Sequence, residues 1–371
     1  MIVKAKGPAD LLAMTPSLVG FTPRRSFVLL AFRGKRTCGA MRFDLPSSTS
    51  EAVLKRIATS AVGTLCKISG VDGVVVVIYT DEAIGAGGLP HGDFADVLGR
   101  RLQFSGIELR ELLCQASDGW GSYCDAETPN GGHPLSDIAN SQVVANLPAE
   151  ALPDDNEIPA RVPDAPAVDK KRVSQALAHY RRLAASLAEE TATVPAELEP
   201  LEDINRFVEE ALEWDESAIR ANDALLLFVL QGPPMRDMTM LQWASTLATG
   251  DVLLEEAERW KRGDRDITMT DVHKSPNLML GHGPRPDPER IERGIRLLLT
   301  VVSRAEKTER LAPLCMLAWL NWALGRGSRA GRFIDEAREI DPSYGMAELL
   351  DTMLSNGMMP EWAFGVPADS A

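Results

Sequence analysis

The run LAPLCMLAWLNWALGRGSRAGRFIDEAREIDPSYGMAELLDTMLSNG, from Leu311 to Gly357, is the densest and most regular apolar stretch of the chain. It reads as helical hairpins with their turns written in. Leu314, Leu317, Ala318 and Leu320 recur at helical spacing and lead to Trp322 and Leu324. Gly325 and Gly327 then punctuate, because the residue past a helix end often needs a positive φ. Ser328 is placed to cap a second helix, whose inner face is Ala330, Phe333, Ile334 and Ala337. Asp341-Pro342 stops that helix, and a third is expected from Met346 to Leu354.

Ala318, Ala330 and Ala337 let two helices approach closely and Pro342 closes the unit, the pattern of a tetratricopeptide repeat over residues 311–342. One copy is legible. A repeat needs neighbours to bury its faces, so a helical hairpin inside a larger bundle is an equal reading.

Outward from this stretch the chain is helical back to a change of composition. Helices are expected over Lys171–Glu190, Leu201–Trp214, Ala218–Leu230, Met238–Thr249, Val252–Lys261 and Pro288–Ala305. Gly263 to Asp287, holding His273 and His282, reads as a long connection. Prolines 148, 153, 159, 163 and 166 sit among Asp, Glu and Ala, where lost backbone donors and repelling carboxylates favour an extended tether. The domain reading is therefore an α/β domain at 1–147, a proline-rich acidic linker at 148–169 and an all-α domain at 170–371.

The first domain alternates strands and helices. Ile2 to Ala5 alternates like a short strand, and Gly7-Pro8-Ala9-Asp10 opens a helix with Pro8 in its first turn. Ser26 to Phe32 is a compact apolar strand turned by Gly34-Lys35 into Thr37 to Leu45. A helix follows Ser50. Gly73 to Tyr79 (GVVVVIY) is apolar throughout, as a central strand covered on both faces should be. Phe94 to Phe104 suggests a helix, and Ile107 to Ala116 with Gly119 to Cys124 a hairpin turned at Asp118-Gly119. The expected order is βαββαβαββ with a mixed sheet, because two adjacent pairs are hairpins.

The chain has 371 residues and a net charge of -14, with 53 acidic against 39 basic side chains. A polyanion is held mainly by Lys and Arg, so this balance argues against nucleic acid as a partner. Five cysteines, odd in number and mostly inside apolar runs, fit a reducing compartment better than a disulfide framework. No apolar run reaches membrane-spanning length and the start lacks a signal-peptide layout. A cytoplasmic protein with no membrane association is expected, and no cofactor is implied.

GPADLLAMTPSLVGFTPRRSFVLLAFRG near the start, DGWGSYC at 118–124, and GHGPRPDPERI, LAWLNWALGRGSRAGRFIDEA, IDPSYGMAELLDTMLSNGM and PEWAF toward the end together span most of the chain. On these motifs the sequence resembles an actinobacterial family known as domain of unknown function 4192. The resemblance implies this architecture and supplies no activity. Many members of that family continue the Ser-Tyr-x-Cys segment into further cysteines, whereas Asp125 to His133 has none here, which removes the support for a metal role.

Candidate sites begin with the loop Thr80 to Asp93 (TDEAIGAGGLPHGD), which follows the central strand. Ligands gather beyond strand C-termini in open α/β sheets, and a helix N-terminus can hold an anion. Glycines 85, 87 and 88 would let backbone approach a phosphate, but the spacing matches neither the dinucleotide fingerprint nor the Walker motif. Asp81 and Glu82 would repel it, and a surface loop explains the same residues. Asp44, Asp81, Glu82 and Asp93 suit a hard cation if they gather; caps and solvated turns are the plainer reading. Tyr79 and His91 complete the speculative ligand set.

Cys114, Cys124 and His133 have the chemistry for zinc, but no CxxC pair is present and four ligands are normal. Trp120 and Tyr123 could form a recognition surface or simply pack across strands. Arg24 precedes a strand and suits an acidic partner. Trp319, Trp322 and Trp362 read as core aromatics, with a groove for a partner as the alternative. Without a complete catalytic motif, the preferred expectation is a protein-interaction or regulatory module with an unknown protein partner. The alternative is a small-molecule or nucleotide binder, or an enzyme, with its site at the sheet edge near Tyr79–Asp93.

Overall fold

The computed structural model describes residues 4–85, 88–125, 128–145, 160–187, 194–262 and 278–364. The chain divides into two compact units, residues 1–159 with 364–371, and residues 160–363. The strand expected at Ile2–Ala5 falls partly outside the described residues, and Lys4 and Ala5 form no strand. From there the expected order holds: α1 (Pro8–Val19), β1 (Ser26–Arg33), β2 (Arg36–Asp44), α2 (Glu51–Leu65), β3 (Gly73–Tyr79), α3 (Gly92–Ser105), β4 (Glu108–Gln115) and β5 (Trp120–Ser122). Two short helices, α4 (Ser136–Ala139) and α5 (Gln142–Ala145), close the described part of this unit.

The sheet is mixed, in the order β2-β1-β3-β4-β5. β1 runs antiparallel to both β2 and β3, β3 and β4 are parallel, and β5 turns back antiparallel on β4. A parallel pair needs a crossover, and α3 supplies it. Every residue of β3 is buried, which is why its sequence shows no alternation. Phe27, Leu29, Val74, Val76 and Ile78 face α2 and α3. Val28, Leu30, Val75, Val77 and Tyr79 face the other way with Leu12 of α1.

The second unit is all helical: α6 (Ala167–Ser186), α7 (Ile204–Glu210), α8 (Glu216–Leu230), α9 (Pro233–Ala244), α10 (Leu247–Lys261), α11 (Pro288–Ser303), α12 (Leu311–Ala323), α13 (Gly327–Ile340) and α14 (Gly345–Ser355). Of the stretch read as a tether, 148–159 lies outside the described residues. Val162 is buried in the helical core and α6 begins at Ala167. The helix expected over Leu201–Trp214 is split: 3-10 turns flank α7, and Asp203 caps it by accepting from the Arg206 N–H at 3.0 Å. The helix expected from Met238 to Thr249 breaks at Ser245, whose hydroxyl donates back to the Leu241 carbonyl at 2.6 Å. It also starts earlier, since Pro233 and Pro234 suit a first turn.

α12 is the centre of this unit. Ala312 to Ala323 are all buried, and α9, α11, α13 and α14 pack around them. Ser328 lies inside the first turn of α13 and caps nothing; the helix starts one residue sooner, at Gly327. Ala330, Phe333, Ile334 and Ala337 form its buried face as expected. Among the described residues no helix is long and apolar enough to cross a membrane.

Candidate functional site

The parallel pair ends together, Tyr79 beside Gln115. One rung of the sheet carries Asp44, Ser26, Tyr79, Gln115 and Trp120 from one edge to the other. Beyond this rung the loop from Thr80 leads to α3. Its first residues fold back on themselves: the Glu82 N–H donates to Thr80 Oγ1 at 3.2 Å, and the Ser117 N–H to the Glu82 carbonyl at 3.1 Å.

His91 precedes α3 in the left-handed region, at φ 61° and ψ 26°. This directs its imidazole to the end of β3. Nε2 lies 3.1 Å from Thr80 Oγ1 and 3.6 Å from Glu82 Oε1. Thr80 is buried, the imidazole is about one-fifth exposed and the Glu82 carboxylate mostly so, so an imidazole and a carboxylate reach solvent at one point with the Thr80 hydroxyl behind them. Behind them, the Tyr123 hydroxyl donates to the Pro90 carbonyl. Burial pushes the Cys114 thiol up to about 11, with the Tyr123 hydroxyl bonded to it working in the other direction. Burial also raises Tyr123, helped by Cys114 and Glu82. Both groups are held neutral, so Cys114 is a hydrogen-bonding thiol here and lacks the thiolate character of a nucleophile.

The opposite face of the same sheet end carries buried polar atoms with no hydrogen-bond partner of good geometry: Ser26 Oγ, Tyr79 Oη and Trp120 Nε1. Thr15 of α1 stands beside the Tyr79 hydroxyl, whose pKa burial raises far above its ordinary value.

Of the residues proposed for a ligand, Glu82 and His91 are brought together and Tyr79 lies directly below on the other face. Asp44 is two strands away and pairs with Arg42 at 2.7 Å. Asp81 lies 3.7 Å from Arg25, both well exposed. Asp93 sits exposed in the first turn of α3, where a carboxylate complements the helix dipole. Among the described residues no three His, Cys, Asp or Glu side chains gather to hold a metal ion. Cys124 is exposed, and His133 stacks on Trp120 with centroids 4.4 Å apart. Thr80 and Cys114 were missed as members of the cluster. Only the sheet register, which sets Ile78 beside Cys114, brings the latter to the loop.

The recognition candidates turn inward. Trp120 is buried and Tyr123 half-buried, so both pack across strands. Trp319, Trp322 and Trp362 are core residues, and their indole N–H groups donate to the carbonyls of Met279, Met358 and Ala323. Arg24 is exposed, its carbonyl accepting from Arg42 at 3.5 Å. His273 lies outside the described residues.

This is a two-part protein: a five-stranded mixed-sheet unit with a polar cluster at the C-terminal end of its parallel pair, and an all-helical unit. Residues 8–263 and 285–361 match the model of the family described as Domain of unknown function (DUF4192), and the chain belongs to that family. No curated protein and no solved structure matches the chain.

Proposed function

We propose that the α/β unit binds a small polar molecule at the C-terminal edge of β3 and β4, with Thr80, Glu82 and His91 making the contacts. His91 carries this reading. A residue with a side chain, kept in left-handed backbone and aimed at a strand end, is the kind of strain that folds retain for function. The cluster supplies donors and acceptors of both kinds, which suits a ligand such as a nucleoside or nucleotide better than a bare ion.

The test is thermal unfolding of the full chain against nucleotides and divalent cations. A ligand that binds the folded state raises the melting temperature once it greatly exceeds its dissociation constant. A rise is expected in the wild type and its loss in His91→Ala. A flat response across the panel would speak against the site.

A second reading is that the helical unit serves as a protein-interaction or regulatory module. What favours it is the α12–α13 pair, with Ala318, Ala330 and Ala337 at small-residue positions and Pro342 closing the unit, as in tetratricopeptide repeats. Stacked helical pairs commonly receive peptides. Cross-linking of the full-length protein to a captured partner, with the linked residues mapped by mass, decides it. Links confined to the α/β unit would move the interaction away from the helices.

A further inference from the structure

The loop that carries Glu82 and His91 lies against the hairpin of β4 and β5. The Ile84 N–H donates to Asp118 Oδ1 at 2.9 Å, and the Ile84 side chain fills the space that a Cβ on Gly132 would need. A Cβ on Gly121 would stand 2.9 Å from Leu89 Cδ2 and 2.8 Å from Thr128 Cγ2, so this glycine is the notch that admits Leu89. One residue on, the Pro90 carbonyl accepts from the Tyr123 hydroxyl. His91 follows in the left-handed region, and its own carbonyl is taken by the Ala95 N–H of α3 at 3.0 Å.

We infer that this hairpin is the positioning element of the proposed site: Tyr123, through Pro90, and Gly121, through Leu89, keep His91 in its strained conformation. The inference rests on the reading of that site and gives the segment DGWGSYC a part in it. A strained residue persists only where its surroundings over-determine it. Here the two residues before His91 are each gripped by the hairpin and the residues after it belong to α3, so the backbone of His91 has no free end along which to relax. The Tyr123 contact is the more demanding of the two. Its ring packs against the core beneath α2 and α3, which fixes the height of the hydroxyl. Proline has no N–H, so the carbonyl is the single backbone group by which Pro90 is held. Tyr123 and Leu89 are positioning residues: they act on the site through His91.

The experiment is a mutant cycle in the full chain, read as urea midpoints. His91→Gly and His91→Ala are compared in the wild-type background, then together with Tyr123→Phe, and then with Leu89→Ala. In the wild-type background glycine should have the higher midpoint, because it enters the left-handed region without steric cost. Releasing the turn lets residue 91 return to ordinary backbone, where alanine is favoured, so the order of the two midpoints should invert. A contact that only stabilises the fold lowers both midpoints alike and leaves their order unchanged. An undiminished lead for glycine in both backgrounds overturns the inference, as does a wild-type background in which alanine already leads. Inversion with Tyr123→Phe or Leu89→Ala alone supports it and shows which contact is the anchor. The cycle needs no ligand, so a flat response to nucleotides and cations would remove the proposed site without altering this result.

Discussion

Both terminal nitrogens of the Arg172 guanidinium donate to Asp223, at 3.0 and 2.5 Å, and that carboxylate is completely buried. Arg304 donates to the same carboxylate at 3.1 Å and also reaches Glu216. One buried acid thus ties α6, α8 and α11 together. A carboxylate withdrawn from water is tolerated only where its lone pairs are filled, and here two guanidinium groups fill them. Asp223→Ala removes the shared acceptor and leaves the largely buried Arg304 with Glu216 alone. A loss of about 3–5 kcal/mol is expected, read from the denaturant midpoint. Arg172→Ala should cost less, because Arg304 still covers the acid. Equal costs would mean that the network does not share Asp223.

Alkaline stability follows from the buried thiols. Burial raises Cys315 from its ordinary 9.0 to about 12, with Arg236 opposing the rise, and Cys114 to about 11. A group whose pKa is higher in the folded state contributes fully below its unfolded value and loses that contribution as pH rises through the folded one. Stability should therefore decline between about pH 9 and 12. Urea midpoints for the wild type and Cys315→Ala, compared at pH 8 and pH 10.5, check it. The variant should start lower and fall less steeply; parallel slopes would place the thiol in contact with water.

Much of this fold was legible because its strongest signals are local. GVVVVIY needs no partner to read as a buried strand, and Gly34-Lys35 and Asp118-Gly119 mark their own turns. The helical unit was legible where apolar residues recur and less so at breaks, since Ser245 ends α9 through a bond to Leu241 that no propensity records. The site was legible as a place and not as a set of residues. Ligand edges follow from topology, so Glu82 and His91 were within reach. The strained backbone at His91 was hidden, because a histidine gives no warning of positive φ as a glycine would. Asp44 and Asp93 failed to converge because carboxylates near in sequence to a loop still obey the strand and helix that carry them.

Gly294 of α11 packs against the face of Trp243 in α9. A Cβ on Gly294 would stand 2.9 Å from Trp243 Cε3. The indole has nowhere to go: Trp243 is fully buried and its N–H donates to the Val208 carbonyl at 2.7 Å. Alanine in mid-helix ordinarily gains up to about 1 kcal/mol over glycine. Overpacking a filled core costs about 1–3 kcal/mol, so Gly294→Ala should be destabilising on balance. Denaturant unfolding gives the sign directly, and a stabilised variant would show that the two helices have room to part.

The backbone at His91 offers a test of strain that is separate from ligand binding. At φ 61° any residue with a Cβ is disfavoured by about 1–2 kcal/mol, and glycine is not. His91→Ala and His91→Gly both lose the contact with Thr80 Oγ1, so that loss cancels in the comparison. Glycine carries an entropic cost of its own, roughly 0.5–1 kcal/mol against alanine in ordered structure. The remaining difference should leave His91→Gly the more stable of the two by up to about 1 kcal/mol, whereas alanine wins at most positions. If His91→Ala proves the more stable, the loop does not hold this residue left-handed in solution, and the strain argument for the site falls with it.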